Sequence, residues 1–475
     1  MKQNEKTAFA PLMAVIFIGA FLATLSSSTI NIVLPVLMKD FSSSLDIVRW
    51  TMIGFILAMG TVAPLTGFLG EKFSYKRLYI FALIGFTTAS LLCAISWNVY
   101  SLITFRILQG CFSGLIAPCA MTIIFQIVPT NKQATALSIW SLASMLSPAL
   151  GPTLGGWLIQ NFNWGAIFII NLPIGILAII MAIFFIPYYK TESTVSFDSP
   201  GLITSIVASL SLLIAFSEGS AWGWGSWKVI GLILIGLLFL GLFIFRELTA
   251  KSPMLDLRVF KYKTFSLSVL VGAIISVALY SGTLLTPLFL QTLQGLSPME
   301  SGLVLLPGSL LMALTMPIVG ILYGKVKPHF LVITGMLIIG LGTWRMGYLT
   351  LDTSKEYVIL WMSVRNVGIS LAMMPATNIG MAVVSRHLTG HASAVNNWIR
   401  QAFASLSIGL FTSILGTRTA YHSQELGSLG LLGDILKAKS SVLAINDIYI
   451  LAAIIILIGV PVSFLLKKRI PKEPL

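Results

Sequence analysis

Residues 147–159 read SPALGPTLGGWLI, set in an apolar run that begins near residue 135. Proline deletes a backbone donor and glycine loses the most chain entropy on folding, so helix interiors normally exclude both. Here Pro148, Gly151, Pro152, Gly155 and Gly156 crowd into one stretch, and helical spacing gathers them with Ser144 on a single face. A face without side chains lets a second helix approach closely, and two prolines add a fixed bend. The stretch therefore predicts a close-packed helix in a bundle that bends.

The rest of the chain says where that bundle sits. Of its 475 residues 56% are hydrophobic and only 10% charged, against about 25% charged in soluble domains. The apolar residues fall into runs of roughly 20, the length of a helix crossing a hydrocarbon core. Fourteen such spans are expected, near 11–35, 47–69, 78–97, 101–128, 135–159, 165–187, 200–218, 227–248, 265–290, 301–323, 329–350, 357–384, 392–416 and 446–466. The fold class is an all-α membrane protein, its surface in contact with a lipid bilayer. The polar start MKQNEKTAF leads into the first span without a small-residue cleavage site, so that span is expected to stay.

The net charge of +14 raises nucleic acid as a partner, and its placement argues otherwise. With an even number of spans the termini share a side, and that side collects Lys2, Lys6, Lys72, Lys76, Arg77, Lys132, Arg246, Arg258, Lys261 and the terminal Lys467, Lys468 and Arg469. The positive-inside rule makes it the cytoplasm. No nucleic-acid partner is expected. Cys93, Cys111 and Cys119 all lie in apolar spans, the four histidines are scattered, and no phosphate-cradling glycine loop is present, so neither disulfide, metal nor ATP chemistry is expected.

Two segments repeat. SLITFRILQGCFSGLIAPCAM at 101–121 and LWMSVRNVGISLAMMPATNIG at 360–380 each carry an arginine about six residues in, Arg106 or Arg365, and a proline further on. PLTGFLGEKFSYKR at 64–77 is echoed by PIVGILYGKVKPHF at 317–330. Repeats of about six helices suggest halves that rock about a central site. The expected organisation is an N-terminal six-helix bundle at 1–190, an inserted helix pair at 191–250 and a C-terminal six-helix bundle at 251–475.

Three motifs carry chemistry. In GFLGEKFSYKR, 67–77, Gly67 permits close helix approach, Glu71 offers a carboxylate, and Lys72, Lys76 and Arg77 place cations near helix ends. Arg106 puts a guanidinium at membrane depth, which is expensive without a partner or a wet cavity; Gln109 and Gly110 follow within about one turn. The third motif is the 147–159 stretch. Together they resemble the major facilitator superfamily. Its loop pattern G-x-L-x-D-x-x-G-x-[RK]-[RK] is met by Gly67, Leu69, Lys76 and Arg77, with Glu71 for the Asp and Ser74 for the second Gly. Leu102, Arg106, Gln109 and Gly110 match L-x-x-x-R-x-x-Q-G. Gly151, Pro152, Gly155 and Gly156 match the antiporter signature G-x-x-x-G-P-x-x-G-G, with Ser147 in the place of its first glycine.

WGAIFIINLPIG at 164–175, PMLDLRVFKYKTF at 253–265, SPMESGLVLLPGSLLMAL at 297–314 and GHASAVNNWIRQAFASLSIG at 390–409 are similar to blocks of the fourteen-helix drug:proton antiporters. That resemblance implies a proton-coupled exporter of amphipathic drugs in a bacterial cytoplasmic membrane, a transporter rather than an enzyme, with no cofactor beyond the proton gradient and working as a monomer. In the family the 67–77 loop is a charge clamp. An exporter of one endogenous metabolite is the alternative.

The pattern breaks in helix one. LSSSTINIVLP, 25–35, keeps Asn31, Leu34 and Pro35 of the branch's L-D-x-T-x-x-N-x-A-L-P, but Ser26 stands in the acidic place and cannot titrate usefully. Most carboxylates fall in loops or at span ends, so the candidate proton groups are Asp46 beside Arg49, Glu218 at the outer end of span seven, and Arg106 acting indirectly because guanidinium stays protonated. The ordinary alternatives are a structural salt bridge for Asp46 and a solvated loop acid for Glu218. Asn31, Gln109, Met373, Met374, Asn378, Asn397 and Trp398 offer amides, thioethers and an aromatic face for substrate. Arg106, Arg345, Arg365 and Arg400 are the embedded cations, with Arg365 and Arg400 also assigned to substrate, which predicts neutral, zwitterionic or partly anionic cargo.

Overall fold

The structure, a computed structural model, describes residues 9–43, 45–48, 50–63, 65–188, 198–250, 253, 255–385, 388–428 and 433–466. The regular elements among them are all helical: α1 (Phe9–Asp40), α2 (Leu45–Val48), α3 (Trp50–Val62), α4 (Leu65–Phe73), α5 (Tyr75–Ala94), α6 (Val99–Ile127), α7 (Thr130–Asn161), α8 (Ala166–Ile169), α9 (Asn171–Phe185), α10 (Ser199–Trp222), α11 (Trp227–Thr249), α12 (Lys263–Leu288), α13 (Pro298–Lys325), α14 (Pro328–Arg345), α15 (Lys355–Ala382), α16 (Thr389–Ser428) and α17 (Gly433–Phe464). A 3-10 turn at Leu257–Lys261 precedes α12, and a π turn at Phe289–Leu293 follows its Pro287.

All fourteen expected spans fall on helix. Among the described residues eleven helical stretches are long and apolar enough to cross a membrane, twelve if α3 and α4, bent by 58° at their break, form one span. The two remaining segments are α7, rich in Gly, Pro, Ser and Thr, and α10, whose apolar part is Pro200–Phe216. α7 runs unbroken from Thr130 to Asn161. The 417–445 segment, left between the last two expected spans, is mostly helix among the described residues. α16 continues to Ser428 and α17 already begins at Gly433. Its Ala, Leu, Lys, Gln and Glu residues are good helix formers, and Asp447 joins the two helices by accepting from Arg418 Nε at 2.6 Å and contacting His422 Nε2 at 2.8 Å.

Two compact units divide the chain. The first takes Met1–Leu210, Ile235–Tyr262 and Val384–Gln401; the second takes Ser211–Leu234, Lys263–Val383 and Ala402–Leu475. In the first, α1 packs on α7, and α6 on both α3 and α5. Gly110 and Gly114 make the α3–α6 contact possible, because a Cβ at either would run into the backbone of Phe55 or Met59. Ile30, Val33, Leu37, Leu102 and Phe168 fill one end of this unit. In the second, α15 packs on α12, α13 and α14, with α17 against α12 and α14. Gly335 and Gly368 bring α14 and α15 together at backbone distance, above a core of Leu285, Phe289, Val358, Ile445 and Tyr449.

Candidate transport and coupling site

Arg106 is fully buried (0% exposed) in α6. A guanidinium buried there must spend its donors on protein groups. Nε donates to the Thr51 carbonyl at 2.9 Å, and Nη1 donates to the Ser26 hydroxyl at 2.8 Å and Gln109 Oε1 at 2.6 Å. Gln109 Nε2 donates onward to Ser90 Oγ at 2.6 Å. The Phe55 ring lies 4.1 Å from the guanidinium carbon, a cation–π contact. Nη2 has no hydrogen-bond partner among the described residues. Helical spacing sets the pair: Gln109 is three residues after Arg106, on the same face. The result is a buried cation held by hydroxyl, amide, carbonyl and ring. Ser90, Thr51 and Phe55 were not picked out from sequence; each reads locally as ordinary span composition.

α7 presses on α1 beside this network. A Cβ on Gly151 would collide with the Ser28 side chain, and Ser28 Oγ donates to the Ser147 carbonyl at 3.2 Å. Ser147, in the place of the signature's first glycine, donates its own hydroxyl to the Phe21 carbonyl at 3.0 Å. Gly155 and Gly156 are buried. Ser26 and Ser28, two residues apart on α1, therefore hold Arg106 and seat Gly151. The side chains of Pro148 and Pro152 lie outside the described residues.

Arg365 repeats the burial (1% exposed) in α15. Its fork is absorbed differently: Nη2 donates to the Ala278 and Leu279 carbonyls and to Ser281 Oγ. Gly282 and Gly342 flank it, leaving no room for side chains of their own. Met373, Met374 and Asn378 are buried on the same helix, so in this conformation they are packed rather than open. On α16, Asn397 donates to the Ser393 carbonyl at 3.0 Å and approaches Met121 Sδ at 3.9 Å, and Trp398 Nε1 donates to Ser209 Oγ at 2.9 Å. Arg400 is partly buried. Arg345 lies on the protein surface: it ends α14 and stacks on Trp361 at 4.9 Å.

The 67–77 stretch, expected as a loop, is helical except at Ser74, where α4 meets α5, and its charged side chains are anchored. Lys76 Nζ donates to the Ile183 carbonyl at 2.7 Å, satisfying an orphan acceptor at the end of α9, and Arg77 sits 5.2 Å from the Tyr188 ring. Lys72 lies over the Phe68 and Phe73 rings. Ser74 adopts φ of +81°, the left-handed region that favours glycine. That explains the glycine in the family pattern. Glu71 Oε1 is 3.1 Å from His391 Nε2, in the first turn of α16, and a Cβ on Gly67 would crowd the same imidazole. His391 was not assigned from sequence, though it lies in the block GHASAVNNWIRQ.

Of the proton candidates, Asp46 lies in α2 with its side chain outside the described residues, as are Arg49 and the side chain of Asn31. Glu218 is not a solvated loop acid: it is 1% exposed, because α10 continues to Trp222 and folds it inward. Glu247, Asp198 and Asp256 are also buried. Glu247 had a readable signal, an acid in the last turn of an apolar helix, against the helix dipole.

A helical chain with two buried repeat-related arginines and a glycine-seated α1–α7 pair defines a membrane transporter. The family model for the Major Facilitator Superfamily matches residues 16–408; the chain belongs to that family. It is 37% identical to the "Uncharacterized MFS-type transporter YhcA" of Bacillus subtilis over 89% of this chain and 80% of that protein. It is 30% identical to the "Multidrug transporter protein MdtP" of the same organism, over 88% and 77%. The solved human organic anion transporter MFSD10 (TETRAN) shares the fold, with a TM-score of 0.65 at 14% identity over 96% of this chain and all of that one.

Proposed function

We propose that this transporter exports amphipathic drugs across the bacterial cytoplasmic membrane in exchange for protons, by alternating access. The observation that supports the reading is the position of Ser26 and Ser28 on α1: one holds the buried Arg106, the other seats Gly151 of the antiporter signature. Any sliding of α1 on α7 thus alters the surroundings of the cation. The relatives named as multidrug transporters agree with export. The halves 1–190 and 251–475 are the moving bodies, 191–250 the inserted pair, and both termini are cytoplasmic. Gln109, Met373, Met374, Asn378, Asn397 and Trp398 are the substrate-facing groups of the outward and inward states, and Asp46, Glu218 and Arg106 serve proton coupling.

Everted membrane vesicles carrying the protein test this. Accumulation of several unrelated neutral, zwitterionic and partly anionic dyes on energisation, abolished by a protonophore, is expected. Dye movement indifferent to the protonophore contradicts the coupling, and transport of a single compound supports the metabolite exporter instead.

A further inference from the structure

Glu247 closes α11 with a side chain that is 0% exposed. Oε2 accepts the Leu255 N–H at 3.0 Å, while Oε1, also buried, has no hydrogen-bond partner among the described residues. That oxygen borders a space that a second acid also borders. A Cβ built on Gly201 would lie 2.8 Å from Glu247 Oε1 and 2.7 Å from Asp198 Oδ2, so the glycine keeps clear a space shared by the two carboxyls.

Among the described residues, the cations around it are committed elsewhere. Arg246 Nε pairs with Asp198 at 3.1 Å, and Arg258 lies 3.8 Å from Asp256 Oδ1. Asp198, on the approach to α10, is further held by the Gly201 N–H. Asp256 accepts the Arg258 N–H, and His391 of α16 pairs with Glu71 of α4. Ionised, Glu247 would bring a buried charge beside ionised Asp198 with one N–H to hold it; neutral, it is stable there.

A connection leads outward from this acid. The Asp256 N–H, next in chain after the Leu255 N–H, donates to His391 Nδ1 at 3.1 Å. Nδ1 being the acceptor, the imidazole carries its proton on Nε2 and donates it to Glu71 Oε1. Two consecutive amides thus join Glu247 to the carboxylate of the 67–77 loop. A second proton on His391 would set Nδ1–H against the Asp256 N–H and break the join.

We propose that Glu247 is a proton-binding site of this transporter, holding one proton on its buried carboxyl beside Asp198 and linked through the Leu255–Asp256 amides and His391 to Glu71. Loss of the proton to cytoplasmic water leaves a carboxylate that repels Asp198 and pulls on the amide pair, so proton occupancy and the grip on the loop change together. Its part in transport rests on the proton-exchange reading above; the binding of a proton does not.

Infrared difference spectra of the full-length protein in liposomes, taken across pH, separate the two. The wild type is expected to show a carboxylic-acid carbonyl band that bleaches as pH rises. Glu247→Gln removes it, Asp198→Asn raises the stability of the ionised form and moves the bleaching to lower pH, and Glu71→Gln also moves it. A spectrum unchanged in Glu247→Gln overturns the site, and an unmoved midpoint in Glu71→Gln overturns the linkage. In transport, Glu247→Gln keeps substrate counterflow, showing a folded protein, and loses the response to a pH gradient. A full gradient response in that variant overturns its role in coupling. If wild-type protein itself ignores the gradient, the exchange reading fails, while the infrared band still decides whether Glu247 binds a proton.

Discussion

Arg106 Nη1 donates to the hydroxyl of Ser26 across 2.8 Å, at the position where the helix-one pattern that LSSSTINIVLP resembles has an acid. The partners of the buried cation among the described residues are neutral: a hydroxyl, an amide, a carbonyl and a ring. Its charge is therefore solvated without being cancelled, and the unpartnered Nη2 leaves a donor for an acceptor that arrives from outside the network.

Removing the hydroxyl takes one of the two acceptors of Nη1 and leaves Gln109 Oε1. Ser26→Ala is expected to destabilise the protein by about 1–3 kcal/mol, the cost of one lost hydrogen bond to a buried charged group, read as a lower thermal midpoint in detergent. Ser26→Asp supplies a titrating partner for the cation and is expected to raise the protons released per substrate bound.

A point charge is no substitute for the fork. Arg106→Lys cannot donate to Thr51 O, Ser26 Oγ and Gln109 Oε1 in the arrangement that Nε and Nη1 satisfy. Counterflow in this variant is expected to fall to the level of Arg106→Ala, with membrane amounts matched by immunoblot. Wild-type counterflow in the lysine variant means the charge alone suffices.

Glycine at 151 and 110 is a matter of space. Gly151→Val drives a side chain into Ser28 and Gly110→Ala drives one into the backbone of Phe55. Overpacking of this kind costs about 1–3 kcal/mol, and both variants are expected to lower the thermal midpoint and abolish transport. Gly416→Ala, in open space on α16, is the control and leaves both readings unchanged.

Ser74 pays a conformational cost at φ +81°. Ser74→Gly is expected to stabilise the protein by about 1 kcal/mol, the low end of what such a backbone position costs, visible as a raised thermal midpoint with transport retained.

The spans were legible because a hydrocarbon core demands about 20 apolar residues from each helix, whatever surrounds it. The buried arginines were legible for a related reason: Arg106 and Arg365 stand out against apolar neighbours. Arg345 stood out equally and lies exposed on Trp361, since a position near a helix end lets the side chain turn outward. What escaped were partners brought together over long chain distances. Ser90, Thr51 and Phe55 are unremarkable alone and acquire a role only when α3, α5 and α6 meet. His391 reaches Glu71 from 320 residues away, and Glu247 becomes unusual only once Asp198 is seen beside it. The helical character of 417–445 was missed because the segment lies between the expected spans, although its helix propensity is high.

The most direct test of the account is substrate-induced proton release. Purified protein in lightly buffered solution, given a transported drug, is expected to acidify the medium in proportion to drug bound, and Arg106→Ala, shown to be folded by its thermal midpoint, is expected to release no protons. Drug binding by the wild type with no acidification, or equal release from the Arg106→Ala variant, contradicts it.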